Sequence, residues 1–111
     1  MKLWLDDTRP APKGWVWAKS AEEVKAYLIL GIVERLSLDH DLGGDPVNGK
    51  YQDGGDLAKW MVRTNFWPRR KPRVHSAHPV GAGKIRSIIE RKWPKRQRLF
   101  PRRKPLFIRS E

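Results

Sequence analysis

Short apolar runs alternate with amphipathic stretches along this chain, and most of the apolar runs end in charged or polar residues. Lys2 to Leu5 reads as a strand that stops at Asp6-Asp7, and a Pro-containing turn separates it from a second short strand at Trp15 to Ala18. Ser20 followed by Glu23 is a capping box, so a helix is expected from Ala21, with Val24, Tyr27 and Leu28 on its buried stripe and Gly31 as its stop. Leu36 to Leu38 reads as a third strand that runs into Asp39-His40-Asp41. A second helix carries Leu57, Trp60, Met61 and Thr64 on one face; a fourth strand covers Arg73 to His75; a third helix carries Ile85, Ile88, Ile89 and Trp93. Leu106 to Ile108 is a candidate fifth strand.

Three alternations of strand and helix predict parallel strands flanked by helices. The expected fold is a small flavodoxin-like three-layer α/β sandwich with a four- or five-stranded, mostly parallel sheet. Residues 1–93 form the folded unit, and 94–111 form a basic extension rich in Arg, Lys and Pro. The Gly- and Asp-rich stretch from Gly43 to Gly55 is long for a loop in so small a domain, which suggests a functional or mobile segment.

Charge divides the 111 residues unevenly. Residues 1–68 hold nine basic and ten acidic side chains, whereas residues 69–111 hold fifteen and two, giving a net charge of +12 overall. A basic back half suggests a polyanion partner, nucleic acid above all. The candidate contacts are Arg69, Arg70, Lys71, Arg96, Arg102, Arg103 and Lys104, with Trp93, Phe100 and Phe107 interleaved for base stacking. There is no cysteine, which excludes disulfides, thiolate zinc sites and cysteine nucleophiles. No apolar run approaches the roughly 20 residues of a membrane span, and the first residues turn acidic too early for a signal peptide, so no membrane partner and a cytoplasmic setting are expected.

The polar residues fall at strand ends. Asp6 and Asp7 close the first strand, Asp39 and Asp41 the third, His75 and Ser76 the fourth. With strand order 2-1-3-4-5 the switch point lies between strands 1 and 3, so all three clusters would meet at one rim of the sheet. Carboxylates gathered there repel: two unit charges at ~4 Å cost about 4 kcal/mol at an effective dielectric near 20. A cation, raised pKa values or rotation into water must offset that. A magnesium-type ion takes oxygen ligands and binds through one or two carboxylates plus substrate phosphate. If the third strand stays extended to its end, Asp39 and Asp41 share a face; Asp39 then serves the metal or acts as nucleophile while Asp41 orients water. Asp53 and Asp56, near a helix start, are expected to cap it. His75 is a candidate general acid or base, and His78 and His40 are candidate substrate contacts. Gly81 and Gly83 open the third helix, where backbone N–H groups can approach a phosphate.

Three segments together resemble a known family: Leu3-Trp4-Leu5-Asp6-Asp7-Thr8-Arg9-Pro10, Ser37-Leu38-Asp39-His40-Asp41-Leu42-Gly43, and Val74-His75-Ser76-Ala77-His78-Pro79-Val80-Gly81. They are similar to the cyclic-phosphate-processing receiver domains, small bacterial and phage relatives of two-component receivers, over about residues 2–92. The resemblance implies a receiver-like fold and metal-assisted action on cyclic phosphates, on RNA ends or cyclic nucleotides, in a bacterial or phage-infected cytosol. It matches Asp6 and Asp7 to the acidic pair that holds the metal, Asp39 to the acidic residue ending the third strand, and His75 and Ser76 to the His-Ser of the fourth strand. A divalent metal, Mg or Mn, on Asp6, Asp7 and Asp39 is the expectation, with Asp39, Asp41, His75 and Ser76 as the catalytic candidates. Arg9, His40, His78 and Gly81 are then the expected substrate contacts. His78 stands where such domains often have Asn. No Lys can be placed at the end of a fifth strand, which counts against a phospho-relay role for Asp39.

Two functions of different kind therefore remain. One is a metal-assisted phosphoesterase acting on a phosphate-containing substrate such as RNA. The other is a non-catalytic receiver-like module that binds nucleic acid or a host protein through its basic half. A two-histidine phosphoesterase is disfavoured, because no His-x-Ser/Thr pair is present: His75 is followed by Ser76-Ala77 and His40 by Asp41-Leu42.

Overall fold

The computed structural model describes residues 1–42 and 53–94. The expected fifth strand at Leu106 to Ile108, most of the Gly43 to Gly55 loop, and Arg96, Arg102, Arg103 and Lys104 of the basic extension lie outside the described residues.

Four short strands form one parallel sheet in the order β2-β1-β3-β4. They are β1 (Lys2–Leu5), β2 (Val16–Ala18), β3 (Arg35–Leu38) and β4 (Arg73–Val74). The helices are α1 (Ala21–Leu30), α2 (Gly54–Thr64) and α3 (Pro79–Lys92). This is the small receiver-like α/β fold that the sequence pattern predicts. The helix ends follow local chemistry. Ser20 accepts the Glu23 amide and Gly31 closes α1 in the left-handed conformation at φ 74°. Asp53 and Asp56 form a reciprocal capping box at the start of α2, which is the role expected of them. Pro79 occupies the first turn of α3, where its missing N–H costs nothing.

Register decides which side chains share a face. Leu3 pairs with Leu36 and Leu5 with Leu38, so these four point to one side. That side buries Val24 and Leu28 of α1, Leu57 and Met61 of α2, and Ile85 and Ile89 of α3 in a single apolar cluster. Each fully buried side chain of this kind contributes about 1.5–3 kcal/mol, which is what holds all three helices to one face. Trp4 pairs with Trp17 on one side and Ser37 on the other, and Ser37 pairs with Arg73, so these point the opposite way. Of the expected layers, the described residues supply the sheet and this one helical layer. The physical reason is the link from β1 to β2, where residues 6–15 form a turn with no helix to lay on the second face. Among the described residues no helix is long and apolar enough to cross a membrane.

Candidate metal and active site

At the C-terminal rim, the two central strands each deliver a carboxylate as they end. Asp6 follows β1 and is fully buried; Asp39 follows β3 and is 6% exposed. Their backbones are fixed by Asp6 N–H donating to the Ala18 carbonyl at 3.1 Å and Asp39 N–H donating to the Leu5 carbonyl at 2.9 Å. Asp7 joins them: oxygens from Asp6, Asp7 and Asp39 all lie within 4.8 Å of one another.

Asp6 is the hub. Its Oδ1 accepts from the amides of Thr8 (2.9 Å) and Arg9 (2.8 Å) and from the Thr8 hydroxyl (3.3 Å). Its Oδ2 meets Arg9 Nε at 3.0 Å and His75 Nε2 at 3.1 Å. Burial alone would raise the Asp6 pKa, but the Arg9 and Thr8 amides, the His75 hydrogen bond and the Arg9 charge together hold it below the usual carboxylate range. Arg9 also places a guanidinium nitrogen 3.7 Å from Asp39 Oδ1 and donates to the His75 carbonyl at 3.3 Å. A side chain expected to touch substrate is thus the cation of the acidic cluster.

His75 is held on three sides. Its Nδ1 lies 2.7 Å from Ser37 Oγ, its Nε2 faces Asp6, and its ring stacks on Trp4 with centroids 3.6 Å apart and planes 5° from parallel. Burial lowers its pKa, and the Asp6 and Asp39 charges only partly offset that. Ionised Asp6 only accepts, so we assign the proton of neutral His75 to Nε2, and Nδ1 accepts from the Ser37 hydroxyl. Both ring nitrogens are therefore spent inside the protein. Ser76 sits beside it with Oγ accepting the His78 amide at 3.0 Å.

The remaining expected residues form a second group on this rim. The strand ends at Leu38, so the two-residue alternation that would have put Asp41 beside Asp39 stops short. The Asp41 side chain is 67% exposed and binds His40 Nδ1 at 2.7 Å, apart from the three gathered carboxylates. His40 stacks on His78 at 5.2 Å and points Nε2 at Asp53, 3.6 Å away. Gly81 donates its N–H to His78 Nδ1 at 2.9 Å, and a Cβ there would run into the His40 ring. The amide expected to meet a phosphate is taken by a histidine cap. Likewise a Cβ on Gly54 would run into the Asp39 carbonyl, so the start of α2 presses on the end of β3.

Arg69, Arg70 and Lys71 lie elsewhere. The amides of Arg69 and Arg70 donate to the carbonyls of Val33 and Glu34, at the opposite rim, and Lys71 Nζ pairs with Glu90 at 2.6 Å. Sequence reasoning missed Ser37, Trp4 and Trp17; the last donates its indole N–H to the Asp6 carbonyl at 2.7 Å. Ser37 carried one signal, a hydroxyl between two leucines of a central strand.

The donor set suits a hard divalent ion: three carboxylates, no sulfur, and oxygens close enough to share one centre. The Arg9 guanidinium already stands in as a cation against two of them. The residues fit the group.

The family model for the cyclic-phosphate processing receiver domain matches residues 1–91. Comparison with curated proteins and with solved structures finds no significant match.

Proposed function

The chain belongs to the cyclic-phosphate processing receiver domain family, and on that premise we propose that its rim hydrolyses a cyclic phosphodiester, of an RNA end or a cyclic nucleotide, with a divalent metal. The observation that carries this reading is the meeting of the Asp6, Asp7 and Asp39 carboxylates within 4.8 Å at the carboxyl ends of the central strands. A divalent ion held by these residues would supply neutralisation of phosphoryl charge and a more acidic water.

The chain's own residues then have separable tasks. Water adds to phosphorus, the bond to one ribose oxygen breaks, and that oxygen takes a proton, leaving a phosphomonoester and a free hydroxyl. A cation held by Asp6 and Asp39 would take the place of the Arg9 guanidinium that pairs with them, and a guanidinium so freed is suited to pair with non-bridging phosphate oxygens. His75, with both nitrogens engaged, holds Asp6 ionised and oriented rather than reaching the substrate. The proton that the departing oxygen takes is the one that the attacking water gives up, passed through solvent. His78, whose Nδ1 accepts the Gly81 N–H, has Nε2 left to donate a hydrogen bond to a phosphoryl oxygen.

One observation favours the non-catalytic alternative. Asp6 already has five donors and Arg9 balances the cluster without any metal. The two readings separate in an assay of 2′,3′-cyclic nucleotides and cyclic-phosphate-terminated RNA, with and without Mg or Mn. Metal-dependent turnover that is lost in Asp6→Asn/Asp39→Asn supports the enzyme. No turnover with any metal, together with a melting temperature of the wild type that neither Mg nor Mn raises, sinks it.

A further inference from the structure

All-parallel sheets ordinarily have both faces covered. Among the described residues no helix covers the second face, which carries Lys2, Trp4, Trp17, Arg35 and Arg73, paired across the strands in register, with Ser37 buried beneath the His75 ring. No hydrophobic side chain of this face is buried, in contrast with Leu3, Leu5, Leu36 and Leu38 on the other. Trp15 extends the aromatic surface, with its ring edge-on to Trp4 at 6.2 Å. Lys2 and Lys19 lie over Trp15 and Trp17 at 5.9 and 4.3 Å from the ring centroids. The indole N–H groups of Trp4 and Trp17 are tied to the Arg9 and Asp6 carbonyls, so these rings are fixed to the rim loop before anything binds.

We propose that this open sheet face binds single-stranded nucleic acid and leads its end to the acidic rim. The clause about the end rests on the function proposed above; the binding surface does not. Three observations support it. Trp4 is already stacked on His75, and the indoles of Trp15 and Trp17 beside it offer the sequence-tolerant stacking that single strands use. The charged strand residues on this face, Lys2, Arg35 and Arg73, are all cationic, with no carboxylate beside them short of the rim, which matches a phosphate backbone. And the strands run from the Lys2–Arg35 row through the Trp4–Ser37 row directly to Asp6 and His75, so a chain laid along them reaches the site. A protein partner would call for an apolar patch clear of like charge, whereas here Lys2 and Lys19 lie over two of the three indoles.

The test uses the full chain in EDTA with a fluorescent single-stranded oligonucleotide carrying an ordinary 3′-hydroxyl, so that catalysis plays no part. Lys2→Glu/Arg35→Glu/Arg73→Glu should weaken binding at least tenfold and lower the slope of log affinity against log salt by about two, at roughly 0.7 per lost phosphate contact. Trp15→Ala should weaken it roughly five- to hundredfold, the range for losing one base–aromatic stack. Lys59→Glu/Arg63→Glu/Arg91→Glu, the same charge change on the helical side, should leave more than half the affinity. If the triple variant fails to fold, Lys2→Glu and Trp15→Ala decide singly. The inference is overturned if the sheet-face variants bind like the wild type, if the helical-side control loses as much, or if duplex binds as tightly as single strand. Turnover of a cyclic mononucleotide, measured in parallel, tests the site: its absence with binding intact removes the enzyme reading and leaves this surface standing. Intact mononucleotide turnover with unchanged oligonucleotide binding does the reverse.

Discussion

Asp6 Oδ2 meets His75 Nε2 at 3.1 Å across 69 residues of chain, and this bond joins the ends of β1 and β4 over the intervening β3. Its electrostatics set a pH dependence. The folded-state pKa of His75 is lowered from 6.5, chiefly by burial, so the unfolded chain binds this proton more readily than the folded one. Its contribution to stability is complete above about pH 6.5 and is lost as pH falls through the folded value. Urea denaturation between pH 5 and 8 should show stability rising with pH across the region just below 6.5. His75→Gln should flatten that rise.

Ser37→Ala leaves His75 Nδ1 without its 2.7 Å partner in a site where the serine is 4% exposed. An unsatisfied buried acceptor costs about 1–3 kcal/mol, measurable by denaturant unfolding. Imidazole nitrogen chemical shifts should move at Nδ1 as its hydrogen bond is lost while Nε2–H stays in place, because Asp6 still accepts from it, a signature that simple loosening of the core would not give.

Arg9→Gln removes the cation that balances Asp6 and Asp39. Thermal stability in EDTA should fall, and Mg or Mn should restore it. Because the Arg9 side chain is 48% exposed, the competition it offers is modest. Calorimetry should find the metal bound roughly two- to fivefold more tightly than by the wild type, the scale of an exposed ion pair.

Gly54→Ala and Gly81→Ala separate a rigid neighbour from a movable one. The new Cβ meets the Asp39 backbone and Ile85 Cδ1 in the first case and the His40 ring in the second. Gly54→Ala should cost at least the upper end of the ~1–3 kcal/mol typical of overpacking. Gly81→Ala should cost less, because His40 can swing away and give up Asp41. Melting temperatures rank the two directly.

Element type and order were legible in the sequence because the local signals agreed with one another. Ser20 and Glu23, Asp53 and Asp56, Gly31 and Pro79 each mark a boundary that the structure places within a residue or two. The gathering of Asp6, Asp7 and Asp39 was legible too, since strand order alone brings β1 and β3 together. What could not be read depended on where side chains turn after a strand stops. Asp41 leaves the cluster because β3 ends at Leu38, and alternation says nothing beyond a strand's end. Arg9 turns back onto Asp6 through a tight turn that the Asp6 side chain itself organises. The uncovered sheet face follows from a helix that is not there between β1 and β2, and only register sets Trp4 and Trp17 opposite the leucines.

The strand order has a consequence for how the site comes apart. Among the described residues, β1 and β3 are each flanked by neighbours on both sides, whereas β4 is a two-residue margin. Fraying at that margin frees His75 while Asp6 and Asp39 stay seated, so hydrogen exchange should reach the His75 amide well before those of Asp6 and Asp39. Among the described residues, the rim is therefore held least firmly on its histidine side.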